Sequence, residues 1–219
     1  MGIGFHISGA GRSGTSLMTG LIDAHPRCTV VPETLSKTLL HSGEGAPRER
    51  IVRYLEACEI AAAEAAPLLW GHKSPTEHVF PMGRDGALEF IEATKHIPCI
   101  FMLRDGRTCV VSKMRRKNAP LERAIELWKY SIWYLQRLRE AGGPLLVVKY
   151  EALVADPISE LQRVCSFLGR TYDDVMLSGT TSEKMQVAYR RAGFDPPAPV
   201  GPEQDWFVTL QPELQAVGY

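Results

Sequence analysis

At 219 residues the chain can bury one substantial core, so a single domain over 1–219 is expected. Lys plus Arg equals Asp plus Glu at 25 each, and this neutral balance argues against a nucleic-acid coat or an acidic-membrane anchor. The five scattered cysteines lack CxxC or metal-ligand spacing and read as reduced core residues of a cytoplasmic protein, and no apolar run approaches the ~20 residues that span a membrane.

The chain opens directly on a strand, Gly4–Ser8, so no signal peptide is expected. The strand meets the turn Gly9-Ala10-Gly11-Arg12-Ser13-Gly14, and a helix over Thr15–Ala24 follows. Strand, glycine turn and helix start bring free N–H groups and the positive end of a helix dipole together, an architecture that binds phosphate. The spacing from Gly9 to Gly14 is that of a Walker A loop, yet Thr15 stands in place of the lysine and the cation sits inside the loop as Arg12. Such a loop suits an anion but not the usual handling of ATP.

A second strand, Cys28–Val31, leads to Pro32-Glu33-Thr34; alone, Glu33 is an ordinary exposed glutamate. His41–Pro47 reads as a Gly/Pro loop, and Arg48–Ala65 as a helix with Ile51, Leu55, Cys58 and Ala62 on one face. The strand Leu68–Gly71 precedes His72-Lys73-Ser74-Pro75, which places Lys73 at a carboxyl edge. The apolar strand Cys99–Leu103 ends in Arg104, and Asp105 caps a helix over Gly106–Lys117. Ser112 and Arg116, four apart, share a face of that helix; with Arg104 they form a second candidate phosphate site, although Lys113, Arg115, Arg116 and Lys117 read equally well as a solvated basic face. The helix Leu121–Ala141 stops at Gly142-Gly143, Leu145–Lys149 is a buried strand, and Asp156-Pro157 opens a helix running to Leu168. A Pro-rich connector over 193–202 leads to a last helix, Glu203–Val217. The alternation predicts an α/β fold, a P-loop-type central parallel sheet flanked by helices. The six histidines lack ligand spacing and read as surface or loop residues, so no metal is expected.

The ordered series Gly11-Arg12-Ser13-Gly14-Thr15-Ser16, Asp23-Ala24-His25-Pro26, Pro32-Glu33-Thr34, Lys73-Ser74-Pro75, Arg104-Asp105-Gly106-Arg107 through Ser112 and Arg116, Tyr150-Glu151 through Asp156-Pro157, and Phe167-Leu168-Gly169 resembles the sulfotransferases that use 3′-phosphoadenosine 5′-phosphosulfate (PAPS). The likeness is greatest to the tyrosylprotein sulfotransferase branch and its bacterial relatives. The resemblance implies that Arg12, Ser13, Gly14, Thr15 and Ser16 hold the 5′-phosphosulfate. Arg104 and Ser112 take the 3′-phosphate, with Arg116 as a helper, and Tyr150 lies near the nucleotide. Glu33 takes the place of the general base, and Lys73, with Arg12, that of support for the leaving phosphate; His72 is the reserve base. The implied partner is a hydroxyl-bearing acceptor, with no nucleic acid and no membrane anchor, and a homo-oligomer is left open. Leu35 stands where the protein-tyrosine enzymes keep an arginine near the acceptor, which points to an uncharged or weakly charged acceptor. Two rival readings stand: a small P-loop kinase using Asp105 to hold Mg²⁺ for ATP, and a nucleotide-binding module without turnover.

Overall fold

Residues 5–7 and 99–103 carry side chains that must be buried on both faces of a sheet, because consecutive residues point to opposite sides. In the computed structural model they are. The structure describes residues 2–185, 187, 190, 193–194 and 200–219, and of residues 116 and 117 the backbone alone. Strand β1 (Phe5–Gly9) leads through helix α1 (Thr15–Asp23) to β2 (Cys28–Val31). A helical turn α2 (Thr34–Ser36) continues into a π-turn over Lys37–His41 and then α3 (Pro47–Glu64), β3 (Leu69–Lys73) and α4 (Thr76–Val79). Next come α5 (Gly83–Thr94), β4 (Cys99–Leu103), α6 (Gly106–Lys117), α7 (Leu121–Ala141), β5 (Leu145–Lys149), α8 (Tyr150–Ala155) and α9 (Pro157–Phe167). A 3₁₀ segment over Asp174–Thr181, another over Asp205–Leu210 and α10 (Gln211–Ala216) complete the chain.

The five strands pair in parallel in the order β2-β3-β1-β4-β5, which puts β1 in the centre between β3 and β4. The chain leaves β1 toward one edge and later crosses to the other side, so the carboxyl ends of β1, β3 and β4 meet at the switch point where such sheets bind ligands. On one face Phe101 and Leu103 pack with Tyr54 of α3, Phe90 of α5 and Trp128 of α7. On the other, Phe5, Ile7, Ile100 and Met102 pack with Met18 and Leu21 of α1 and Leu161 of α9. No helix among the described residues is long and apolar enough to cross a membrane.

Several sequence expectations are corrected here. Gly83–Thr94 is a helix that the reading passed over: Pro81, Gly83 and Gly86 look like breakers, yet Ala87, Phe90, Ile91 and Thr94 bury one face. Gly86 is needed there, since a Cβ would lie 2.7 Å from Met82 Cβ. The loop assigned to His41–Pro47 is shorter, because His41 closes the π-turn and Pro47 opens α3. Tyr150–Ala155 is helical, and the last predicted helix divides into a 3₁₀ segment and α10, with Pro212 in the first turn of α10. The histidines are not uniformly superficial: His6, His25 and His72 are buried. Neutral imidazole packs well in a core: Tyr54 Oη and His72 Nδ1 share a hydrogen bond of 2.9 Å, and burial lowers the pKa of His6 to about 4 and of His72 to about 3. Pro196, Pro197 and Pro199 of the connector, and the side chain of Arg116, lie outside the described residues.

Candidate active site

The glycine loop is held from several directions. β1 ends at Gly9, whose φ of +137° and close approach to Met102 (a Cβ would fall 2.4 Å from its carbonyl oxygen) both require glycine. Ser13 donates its N–H and its hydroxyl to Ala10 O, at 3.0 and 2.7 Å. Its polar groups are thus spent in closing the loop, and it does not line the cavity described below. Arg12 has a φ of +83°, a region that non-glycine residues seldom adopt, and its Nε donates to Ser112 Oγ at 2.9 Å. The sequence reading missed Glu77: its Oε1 accepts the Gly11 N–H at 3.0 Å and the carboxylate also pairs with Lys113. Its place four residues beyond Lys73 in the same run was the available signal.

At the end of β4, Arg104 donates from Nη1 to Arg12 O at 3.2 Å and from Nε to Thr108 Oγ1 at 3.1 Å. Its guanidinium lies 4.1 Å from the centre of the Tyr150 ring. The ring also fills the space beside Gly14, where a Cβ would lie 2.6 Å from Tyr150 Cδ2. Arg12, Arg104, Ser112 and Tyr150, distant in sequence, therefore form one connected group. Asp105 does not offer a free Walker B carboxylate: it caps α6 through the Arg107 N–H at 2.8 Å and pairs with the Arg107 guanidinium at 2.5 Å.

On the neighbouring strand, Lys73 is 5% exposed at its side chain, lies 2.8 Å from Glu33 Oε2 and donates to Ser16 Oγ at 2.9 Å. Ser36 supports the turn that carries Glu33: its hydroxyl lies 3.1 Å from Glu33 O and 2.9 Å from His78 Nδ1. Burial lowers the His78 pKa to about 4 against an upward pull from Glu33. His72, the reserve base, is fully buried and follows the opposite face of β3 from Lys73, so it does not reach this group. Leu35 packs against the core. Burial and the positive charges of Lys37, Arg50 and Arg123 lower the pKa of His41, and Arg50 is 8% exposed, with its Nε and Nη2 lacking hydrogen-bond partners among the described residues.

A cavity of about 830 Å³ opens over the loop, lined by Arg12 and Gly14–Leu17 on one side and Arg104, Thr108, Ser112 and Tyr150 on another. Thr180 and Met185 lie along it, and Trp206 and Phe207 close it from the C-terminal segment. The backbone of α1 meets the Asp174–Thr181 segment directly, since a Cβ on Gly20 would lie 2.3 Å from Gly179 O. The N–H groups of the first turn of α1 have no carbonyl partner within the helix, and that turn carries no acidic residue.

Sheet order and glycine loop define an α/β protein with a P-loop-type parallel sheet, and the Sulfotransferase family model matches residues 5–174. The chain belongs to the sulfotransferase family. Protein-tyrosine sulfotransferase 1 of Danio rerio is 28% identical over 193 residues, covering 78% of this chain and 54% of the relative. The chain thus spans about half the length of the curated relatives it matches, as with protein-tyrosine sulfotransferase 2 of Gallus gallus, 27% identical with 78% of this chain and 52% of the relative covered. The fold is shared with the sulfotransferase domain from the Synechococcus PCC 7002 olefin synthase, with a TM-score of 0.73 at 19% identity over 98% of this chain and 94% of that one.

Proposed function

We propose that the protein is a PAPS-dependent sulfotransferase that moves a sulfuryl group to a hydroxyl of an acceptor. The observation that carries this reading is the contact chain Glu33–Lys73–Ser16, which joins a carboxylate, an ammonium and the glycine loop beside a cavity with two sets of cationic residues. The residues present fit the donor. The cavity volume of about 830 Å³ suits a nucleotide, and the glycine at position 14 leaves no room for a side chain between loop and Tyr150. Arg12 and Gly14–Ser16 hold the 5′ end, with Ser13 shaping the loop. Arg104 and Ser112 take the 3′-phosphate, and Tyr150 bounds the nucleotide. The family fold has also been solved with the corresponding bisphosphate, PAP, in mouse sulfotransferase SULT7A1.

When bound, the donor supplies an activated sulfuryl group. Glu33 receives the proton of the acceptor hydroxyl, a contribution of ~10²–10⁴ in rate for a well-placed base. Proton uptake neutralises Glu33 and frees the Lys73 charge for the loop side, where Ser16, Arg12 and the helix amides meet the growing negative charge of the leaving phosphate. In this reading residues 1–219 act as one domain, and the five buried free cysteines support a reducing, cytoplasmic compartment. Incubation with sulfur-labelled PAPS and a panel of tyrosine peptides, sugars, lipids and phenols tests it. Transfer to one of them without added metal supports it. Nucleotide binding with no transfer to any acceptor would favour the binding-module alternative, and a dependence on ATP and magnesium the kinase.

A further inference from the structure

The C-terminal segment forms one wall of the cavity through Trp206 and Phe207 and is tied to the core by Leu210, Leu214 and Val217. Tyr219 donates its hydroxyl to Glu151 Oε2 at 2.5 Å, and the other oxygen of that carboxylate accepts the Asp105 N–H at 3.2 Å. Lys149 Nζ donates to Gly218 O at 2.8 Å and lies 4.4 Å from the centre of the Tyr219 ring. One carboxylate therefore connects the C-terminal segment to the peptide that leaves β4. Its chain neighbour Tyr150 stacks on Arg104, so residues 150 and 151 hold the side chain of Arg104 and the backbone just after it.

We propose that Tyr219 is a positioning residue for the 3′-phosphate subsite: through Glu151 it fixes the backbone at Asp105, and so the Arg104 guanidinium. The inference rests on the PAPS reading above for the ligand, but the hydrogen-bonded relay itself is independent of it. Its physical basis is the geometry of a half-buried carboxylate with two donors on separate segments. Removing one donor lets the carboxylate turn toward water, and the Asp105 N–H loses a fixed acceptor. Arg104 then samples more orientations, which weakens a ligand that needs its charge and leaves one that does not.

Tyr219→Phe removes the hydroxyl alone and keeps the ring over Lys149. Calorimetry should show adenosine 3′,5′-bisphosphate binding weakened about 5- to 15-fold, the net scale of one ordinary hydrogen bond, with AMP binding changed less than about twofold. Glu151→Ala, which removes the acceptor of both donors, should give at least as large a selective loss, and the double variant no more than the larger single effect. Unchanged bisphosphate affinity, or equal weakening of both nucleotides, overturns the proposal. Hydrogen exchange at the Asp105 amide in the nucleotide-free protein provides a second measurement: it should quicken in Tyr219→Phe, and unchanged protection overturns the relay. A wild-type protein that does not prefer the bisphosphate refutes the donor reading, and the Asp105 exchange then decides the relay by itself.

Discussion

Lys73 Nζ stands 2.8 Å from Glu33 Oε2 while donating to Ser16 Oγ at 2.9 Å, so one nearly buried ammonium links the candidate base to the glycine loop. Glu33→Gln keeps the shape of the side chain but cannot accept the acceptor proton. Turnover should fall by ~10² or more with bisphosphate affinity within about twofold of wild type. Steady-state rates and calorimetry check this, and wild-type turnover in the variant would reduce Glu33 to a structural partner of Lys73.

Arg104 should discriminate between nucleotides. Its contacts to Arg12 O, Thr108 and the Tyr150 ring hold the guanidinium at the carboxyl edge of β4. Arg104→Ala should weaken binding of adenosine 3′,5′-bisphosphate by ~1.5–3 kcal/mol and leave AMP nearly unaffected, as expected for a charged hydrogen bond to one phosphate. Equal losses for both ligands in a titration would refute the two-phosphate arrangement.

Stability should fall in mild acid because of His6 and His72. Their folded pKa values, about 4 and about 3, lie below the unfolded value of 6.5. Below pH 6.5 the unfolded chain takes up protons that the folded state refuses, so stability is complete above that pH and declines as pH drops toward 4. Each histidine contributes a slope of ~1.4 kcal/mol per pH unit at most within that window. Urea denaturation at pH 7, 6 and 5 should show the decline, and His6→Leu should flatten it; an equally steep slope in the variant would contradict the assignment.

Gly20→Ala sets two effects against each other. Alanine favours a helix over glycine by ~0.5–1 kcal/mol, but overpacking in a tight contact costs ~1–3 kcal/mol. The added Cβ would meet Gly179 O, a backbone atom, at 2.3 Å, so the steric cost should prevail. The expected result is a Tm lowered by ~2–6 °C, together with weaker nucleotide binding, because Thr180 follows Gly179 along the cavity. A raised Tm would show that the two segments separate without cost.

The sequence by itself determined the parallel α/β sheet and the glycine loop before α1, because these rest on local physics: apolar runs buried on both faces, glycines that permit positive φ, and a helix start without acidic residues. It also marked Glu33, Lys73 and Arg104 at strand ends. It did not show that Lys73 joins Glu33 to Ser16, that Arg12 reaches Ser112 across 100 residues, or that Glu77 and Tyr219 brace the loop and the β4 edge. Those contacts depend on the strand order, which places β1 between β3 and β4 and so brings their carboxyl ends together. Gly83–Thr94 and the buried histidines were misread for a related reason: a glycine in a helix or an imidazole in a strand is disfavoured locally and becomes stable only when a particular neighbour, Pro47 against Gly86 or Tyr54 against His72, is packed beside it.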